Sequence, residues 1–274
     1  MSNNSGFPGR ATAPGSSNYY CVRMAPKNIR ADLALIFEWK YELQEILHRC
    51  SDQGVALTKL QWYRNEILHN PTQHHLLQAL IPVIHSHQLS IKPFMAIADG
   101  VETDIRGVMH HDSKALQYYC QLTGGSLLEL LTAICGGNEQ DLTCAQELGA
   151  FAQLVEIIRN LGRDLRLGCC RLPHKEMEQQ NLNPTKLTEP QNDQALQALL
   201  ADLYTIANNE YASTLESLPA GRHPTLIPAL AQAAMSHALL YEVKKTAFPV
   251  INQRTSLTPL RKLWIVWRTN RRYR

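Results

Sequence analysis

Over residues 145–173 the chain reads AQELGAFAQLVEIIRNLGRDLRLGCCRLP, and it sets polar groups into what is otherwise a core helix. At 3.6 residues per turn, Leu148, Phe151, Leu154, Ile158 and Leu161 form an apolar stripe, while Glu156, Asn160 and Asp164 recur every fourth position on another face. Oxygen donors one turn apart, met across a cleft by a matching set, hold hard divalent cations, and such cations grip a diphosphate. A second acidic series, Glu38, Glu42 and Glu45, shares one face of an upstream helical stretch. Taken by itself that series reads as a solvated stripe on an amphipathic helix.

Positioning such groups needs long helices, and the pattern supplies them. Asn28 is placed to cap a helix whose broad apolar face is Leu33, Ile36, Phe37, Trp39 and Leu43. Residues 60–67 form another helix, which Asn70-Pro71 ends because the residue before proline is pushed out of the helical region. Thr123, Gly124, Gly125 and Ser126 fall inside a helical run, where each glycine costs about 1 kcal/mol. Either a hydrophobic ligand lies on that bare backbone or a second helix packs close; the residues leave the two readings level. Residues 179–192 are a polar, proline-punctuated loop before helices over 194–217 and 224–245. Residues 1–15, rich in Gly, Pro, Ser and Asn, are expected to be a disordered lead-in. The pairs His74/His75, His85/His87 and His110/His111 lack a third zinc ligand at usable spacing and read as surface or cap histidines.

The run LG…QL..I.RN…D….CRLP resembles the second aspartate-rich helix of the squalene and phytoene synthases, which join two prenyl diphosphates head to head. Gln153, Arg159, Asp164 and Arg171-Leu172-Pro173 match that pattern; the family has Asn at Glu156 and Asp at Asn160. Its first motif, Asp-Asp-x-x-Asp, is set against Glu42-Leu43-Gln44-Glu45-Ile46, with an apolar residue in the last place. The likeness extends to the opening segment from Ser16, to Leu60-Gln61-Trp62-Tyr63-Arg64-Asn65-Glu66-Ile67, to the helix bearing Asp99 and Asp104, and to residues 116–136.

What the resemblance implies is an all-α, single-domain bundle of isoprenoid-synthase type around a central cavity, spanning residues 16–259. It implies Mg²⁺ on Glu42, Glu45, Glu156, Asn160 and Asp164 if the protein is active, a diphosphate on Arg159 and Arg171, and Tyr20 and Gln153 near the substrate. Ser16 and Ser17 partly match the family's phosphate contacts. Leu43, Ile46, Glu156 and Asn160 depart from the motifs. Glu42-Leu43, the run Thr123…Ser126-Leu127-Leu128 and Leu257…Trp267-Arg268 are similar to a branch that lacks the aspartates, the assembly factors of respiratory complex I. The expectation is a protein that binds a prenyl diphosphate or isoprenoid lipid with weak or lost condensing activity, with a protein partner in membrane-complex assembly as a further implication. An active head-to-head synthase is the alternative, and whether Glu42 or Glu45 faces Asp164 across a cavity separates them.

Composition narrows the classes further. With 45% hydrophobic and 19% charged residues and a net charge of +3, nothing argues for nucleic acid as a partner. Seven cysteines, odd in number and without a CxxC pair, read as reduced thiols of a cytoplasm-like compartment. The acid-poor start, which runs to Asp32, is short on Arg and lacks an amphipathic face, so a transit peptide is not expected. No apolar run is long enough to span a bilayer. Residues 260–274, LRKLWIVWRTNRRYR, combine Leu260, Leu263, Trp264 and Trp267 with six basic residues. That is the make-up of a peripheral helix on an anionic membrane surface, or of a basic tail docked on its own domain.

Overall fold

The computed structural model describes residues 6–69, 73–219 and 221–274, and among them the regular structure is helical throughout. The principal helices are α1 (Ser17–Met24), α2 (Arg30–Arg49), α3 (Gln53–His69), α4 (His75–Ser86), α5 (Lys92–Ile105), α6 (Ser113–Cys120), α7 (Ser126–Ile134), α8 (Glu139–Arg166), α9 (His174–Gln179), α10 (Asp193–Glu216), α11 (Ile227–Lys245) and α12 (Pro259–Tyr273). A π-helical turn, Gln121–Gly125, joins α6 to α7. The expected helix end at Asn70-Pro71 lies outside the described residues, as do residues 1–5 of the lead-in.

Everything is built on α8. Asn138 caps it, accepting from the Asp141 amide at 2.9 Å while Asp141 accepts from the Asn138 amide at 3.2 Å, so two otherwise unpaired donors are satisfied. Its stripe of Leu148, Phe151, Leu154, Ile158 and Leu161 is buried as the periodicity predicts, and α8 packs against α6, α7, α10, α11 and the π-helical turn. Three glycines let neighbours approach. Gly124 and Gly149 lie so close that a Cβ on either would overlap the other's carbonyl oxygen, and a Cβ on Gly162 would overlap the carbonyls of Val250 and Ile251. Close helix packing therefore accounts for Gly124 and Gly125, and Gly124 and Gly149 also border a small pocket.

Several expectations are corrected. Residues 6–15 are ordered against the bundle: Phe7 stacks on Tyr19 at 5.2 Å, Arg10 pairs with Glu42, and the Ala11 amide donates to Glu38 Oε1 at 2.8 Å. Composition missed this because the anchors are single side chains. Asn28 sits in a 3₁₀ turn before α2 and makes no cap bond, so Ile29 takes the cap position. His110 is buried against the Tyr119 ring instead of being on the surface. Finally, α12 is part of the domain, burying Ile265, Val266 and Thr269 against α11 and α1. That is the docked-tail reading of this segment; its other face exposes Leu260, Leu263, Trp264 and Trp267.

Gly149→Ala should lower the unfolding free energy by roughly 1–3 kcal/mol, since the methyl meets backbone that cannot rotate away. Ala150→Gly, one residue along, should cost only about 1 kcal/mol, from helix propensity. Urea melts of the two variants check the difference.

Candidate functional site

One end of α8 opens onto a cavity of about 870 Å³. Its walls are Gln44, Leu47 and His48 from α2, Asp104 from α5, the Gln153 to Asp164 face of α8, the residues after α8 through Arg171, the loop at Pro184–Thr188, and Arg254. Of the residues singled out from the sequence, Gln153, Glu156, Arg159, Asn160, Asp164 and Arg171 come together here. Their spacing on α8 explains five of them, and Arg171 returns because Gly168, at φ +76°, turns the chain back after the helix.

Arg171 dominates the electrostatics. Its Nε donates to Asp104 Oδ1 at 2.8 Å and its Nη1 to Asp164 Oδ2 at 2.6 Å, and the Tyr119 hydroxyl donates to the other Asp104 oxygen at 2.8 Å. Burial works against the Arg171 charge, but the Asp104 carboxylate outweighs it and holds the guanidinium protonated. Burial raises the Asp164 carboxyl above its ordinary value, against the pull of Arg171. Deeper in, the buried Lys40 ammonium donates to Gln153 Oε1 at 2.6 Å; burial lowers its pKa, with Glu156 opposing. Arg159 reaches Asn160 Oδ1 at 3.1 Å and Glu156 Oε1 at 3.3 Å.

The first-motif expectation fails on the register of α2. Glu42 and Glu45 do not line the cavity: Glu42 is paired with Arg10 and lies 3.7 Å from Arg49, while Glu45 lies 3.0 Å from Arg49. The α2 face that does reach the cavity carries Gln44, Leu47 and His48, with Lys40 one turn earlier in the small adjoining pocket. Tyr20 is buried in α1 with its ring edge-on to Tyr19 at 5.3 Å and lines neither space. The Ser16 hydroxyl is occupied as the α1 cap, accepting from the Tyr19 amide at 3.0 Å. Asp99 pairs with Arg64 outside the cavity, whereas Asp104 is inside it.

Magnesium does not fit this donor set. It wants several oxygen ligands with carboxylate charge close by. Here Asp104 and Asp164 share Arg171, α2 contributes an amide and an imidazole, and Arg159 and Arg163 flank Glu156 and Asn160. Among the described residues no three His, Cys, Asp or Glu side chains are grouped to hold a metal ion. Sequence reasoning missed Lys40, Gln44, His48, Arg163 and Arg254. The spacing 40, 44, 48 was a usable signal for the first three and the pair Arg159/Arg163 for the fourth, but Arg254 comes from irregular chain that carries no period.

Comparison with known proteins agrees with this architecture. The family model described as squalene/phytoene synthase matches residues 11–261. The chain is 24% identical over 211 residues to a presqualene diphosphate synthase of Sinorhizobium fredii, covering 76% of each chain. It is 22% identical over 271 residues to a phytoene synthase of Arthrospira platensis, covering 92% of this chain and 87% of that one. Among solved structures, a dehydrosqualene synthase in complex with ligand superposes with a TM-score of 0.81 at 20% identity, over 93% of this chain and 90% of that one. A squalene synthase from Alicyclobacillus acidocaldarius gives 0.73 at 16% identity, over 87% and 92%.

Because Arg171 neutralises two carboxylates inside the fold, Arg171→Met should cost about 3 kcal/mol by leaving both acids unpaired. Adding Asp104→Asn and Asp164→Asn should recover more than half of that loss. Chemical denaturation of the single and triple variants measures it.

Proposed function

The chain belongs to the squalene/phytoene synthase family, and on that premise we propose that it binds an isoprenoid lipid or prenyl diphosphate in the α8 cavity, with its magnesium-dependent condensing activity weak or lost. One observation carries the reading: the α2 wall brings Gln44, Leu47 and His48 to the cavity, while both aspartates opposite are held by Arg171. Head-to-head condensation requires ionisation of an allylic diphosphate, so charge on the leaving group must be stabilised. Each missing preorganised group commonly costs roughly 10²–10³ in rate, and here groups differ on both walls. Binding survives such changes better than catalysis, because it needs only an apolar place for the chain and cations for the phosphates. The cavity mouth offers the first in Val108, Met109 and Leu167, large apolar side chains that are exposed there.

The exposed face of α12 supplies a route to a lipid ligand. Leu260, Leu263, Trp264 and Trp267 point outward, with Arg268 over the Trp264 ring at 5.5 Å and Arg271 over the Trp267 ring at 5.6 Å. Aromatic rings beside guanidiniums suit the headgroup region of an anionic bilayer, so the protein is peripheral, on the cytoplasmic face. Among the described residues no helix is long and apolar enough to cross a membrane. A role in assembling a membrane complex would use these same two surfaces. The second reading, a working magnesium-dependent synthase, draws on Glu156 and Asp164 sharing one wall.

Incubated with farnesyl or geranylgeranyl diphosphate, Mg²⁺ and NADPH, the purified protein should bind the lipid and give no C30 or C40 product. Turnover that is abolished by Asp164→Ala would instead establish the second reading. Tryptophan emission should shift to the blue on phosphatidylglycerol vesicles and stay unchanged on phosphatidylcholine. Reversing Arg268, Arg271 and Arg272 to Glu should weaken vesicle binding about a hundredfold or more, at about 1 kcal/mol per basic residue.

A further inference from the structure

Apart from the Arg171 clamp, a second group of cations meets at the cavity. Arg159 and Arg163 stand one turn apart on α8, and Arg254, from the segment between α11 and α12, joins the same wall. Four arginines and three carboxylates line this space, and two of the carboxylates are engaged by Arg171. Only Glu156 is left for the other three arginines; its side chain is 42% exposed and it lies 3.3 Å from Arg159. Among the described residues, no carboxylate is paired with Arg163 or Arg254.

This convergence is built into the fold. Gly162 lets the 250–251 backbone lie directly on α8, its amide donates to Val250 O at 3.2 Å, and Arg166 donates to Ile251 O at 3.0 Å. Arg254 follows three residues after Ile251, so its position is set by those bonds. The like charges feel one another. Burial, then Arg159 and Arg163, depress the Arg254 pKa, and burial, then Arg159 and Arg254, depress that of Lys262, whose ammonium donates to Gly15 O at 2.9 Å. Cations held together without matching anions repel, and an anionic ligand relieves that repulsion.

We propose that Arg159, Arg163 and Arg254 form a metal-independent site for the diphosphate or phosphate end of the ligand. This rests on the isoprenoid-binding reading and adds its chemistry: guanidiniums supply the positive charge that carboxylate-bound cations would otherwise supply. Three guanidiniums against one glutamate leave a net charge of +2, close to what a diphosphate monoester neutralises. Their planar forks match phosphate oxygens two at a time, with no metal needed to bridge like charges.

Calorimetry with farnesyl thiolodiphosphate, inorganic pyrophosphate and farnesol, each in EDTA and in Mg²⁺, tests this. The thiolodiphosphate should bind in EDTA at least as tightly as in Mg²⁺. An Arg163→Gln/Arg254→Gln variant should weaken it about 100-fold, two charge-assisted bonds' worth, and leave farnesol unchanged. Its melting temperature should not fall, because repulsion is relieved, and Arg163→Lys should weaken binding less than Arg163→Gln, since it keeps the charge and loses the fork. Binding that requires Mg²⁺, or that is the same in the double variant, overturns the arginine site and leaves the isoprenoid reading standing. Pyrophosphate binding in EDTA that the double variant abolishes, without binding of either prenyl compound, supports the arginine site and overturns the isoprenoid reading. Failure of all three compounds to bind overturns both.

Discussion

The clamp that Arg171 makes on Asp104 and Asp164 sets the character of the whole cavity. It ties α5, α8 and the chain after α8 together through two charge-assisted bonds, with Tyr119 on the far side of Asp104. An ion triad this enclosed is costly to desolvate and more costly to break, so the two aspartates are committed to the fold. The cavity therefore presents Asp104 and Asp164 already neutralised, beside Arg163 and Arg254, which are paired with no carboxylate among the described residues. The sign of the site follows from that single arrangement.

Backbone proximity makes the arrangement possible. The contact of Gly124 with Gly149 brings the π-helical turn onto α8, and Gly162 does the same for residues 250–251. A side chain at any of these positions would push a neighbour away from α8, and the cavity walls would move with it. Beside the cavity a small pocket of about 140 Å³ remains between the helices, lined by Phe37, Leu127, Leu128 and Ala152. Val108, Met109 and Leu167 add exposed apolar surface to the main cavity.

The helix α8 was legible in the sequence because its stripe obeys one period over many turns, and that period set Glu156, Asn160 and Asp164 on the face that lines the cavity, while Gln153 and Arg159 were picked out by the family resemblance alone. On α2 it was the resemblance that misled, since the period alone read the acids as a solvated stripe. Matching the family's acidic motif selected Glu42 and Glu45, but Glu45 is paired with Arg49, and Glu42 with Arg10, 32 residues earlier in a stretch that composition marks as disordered. With that partner unseen, the acids seemed available, and the true cavity face of Lys40, Gln44 and His48 was passed over. Arg254 could not be found by any period, since its place depends on one glycine and one backbone bond.

A crystal grown with Mn²⁺ and a prenyl thiolodiphosphate, with anomalous scattering recorded at the manganese edge, tests the central claim most directly. The account predicts phosphate oxygens on Arg159, Arg163 and Arg254 with no anomalous peak between Glu156 and Asp164. Manganese bridging the diphosphate to Asp164, with Arg171 swung away, would contradict it and make the cavity a metal-dependent synthase site.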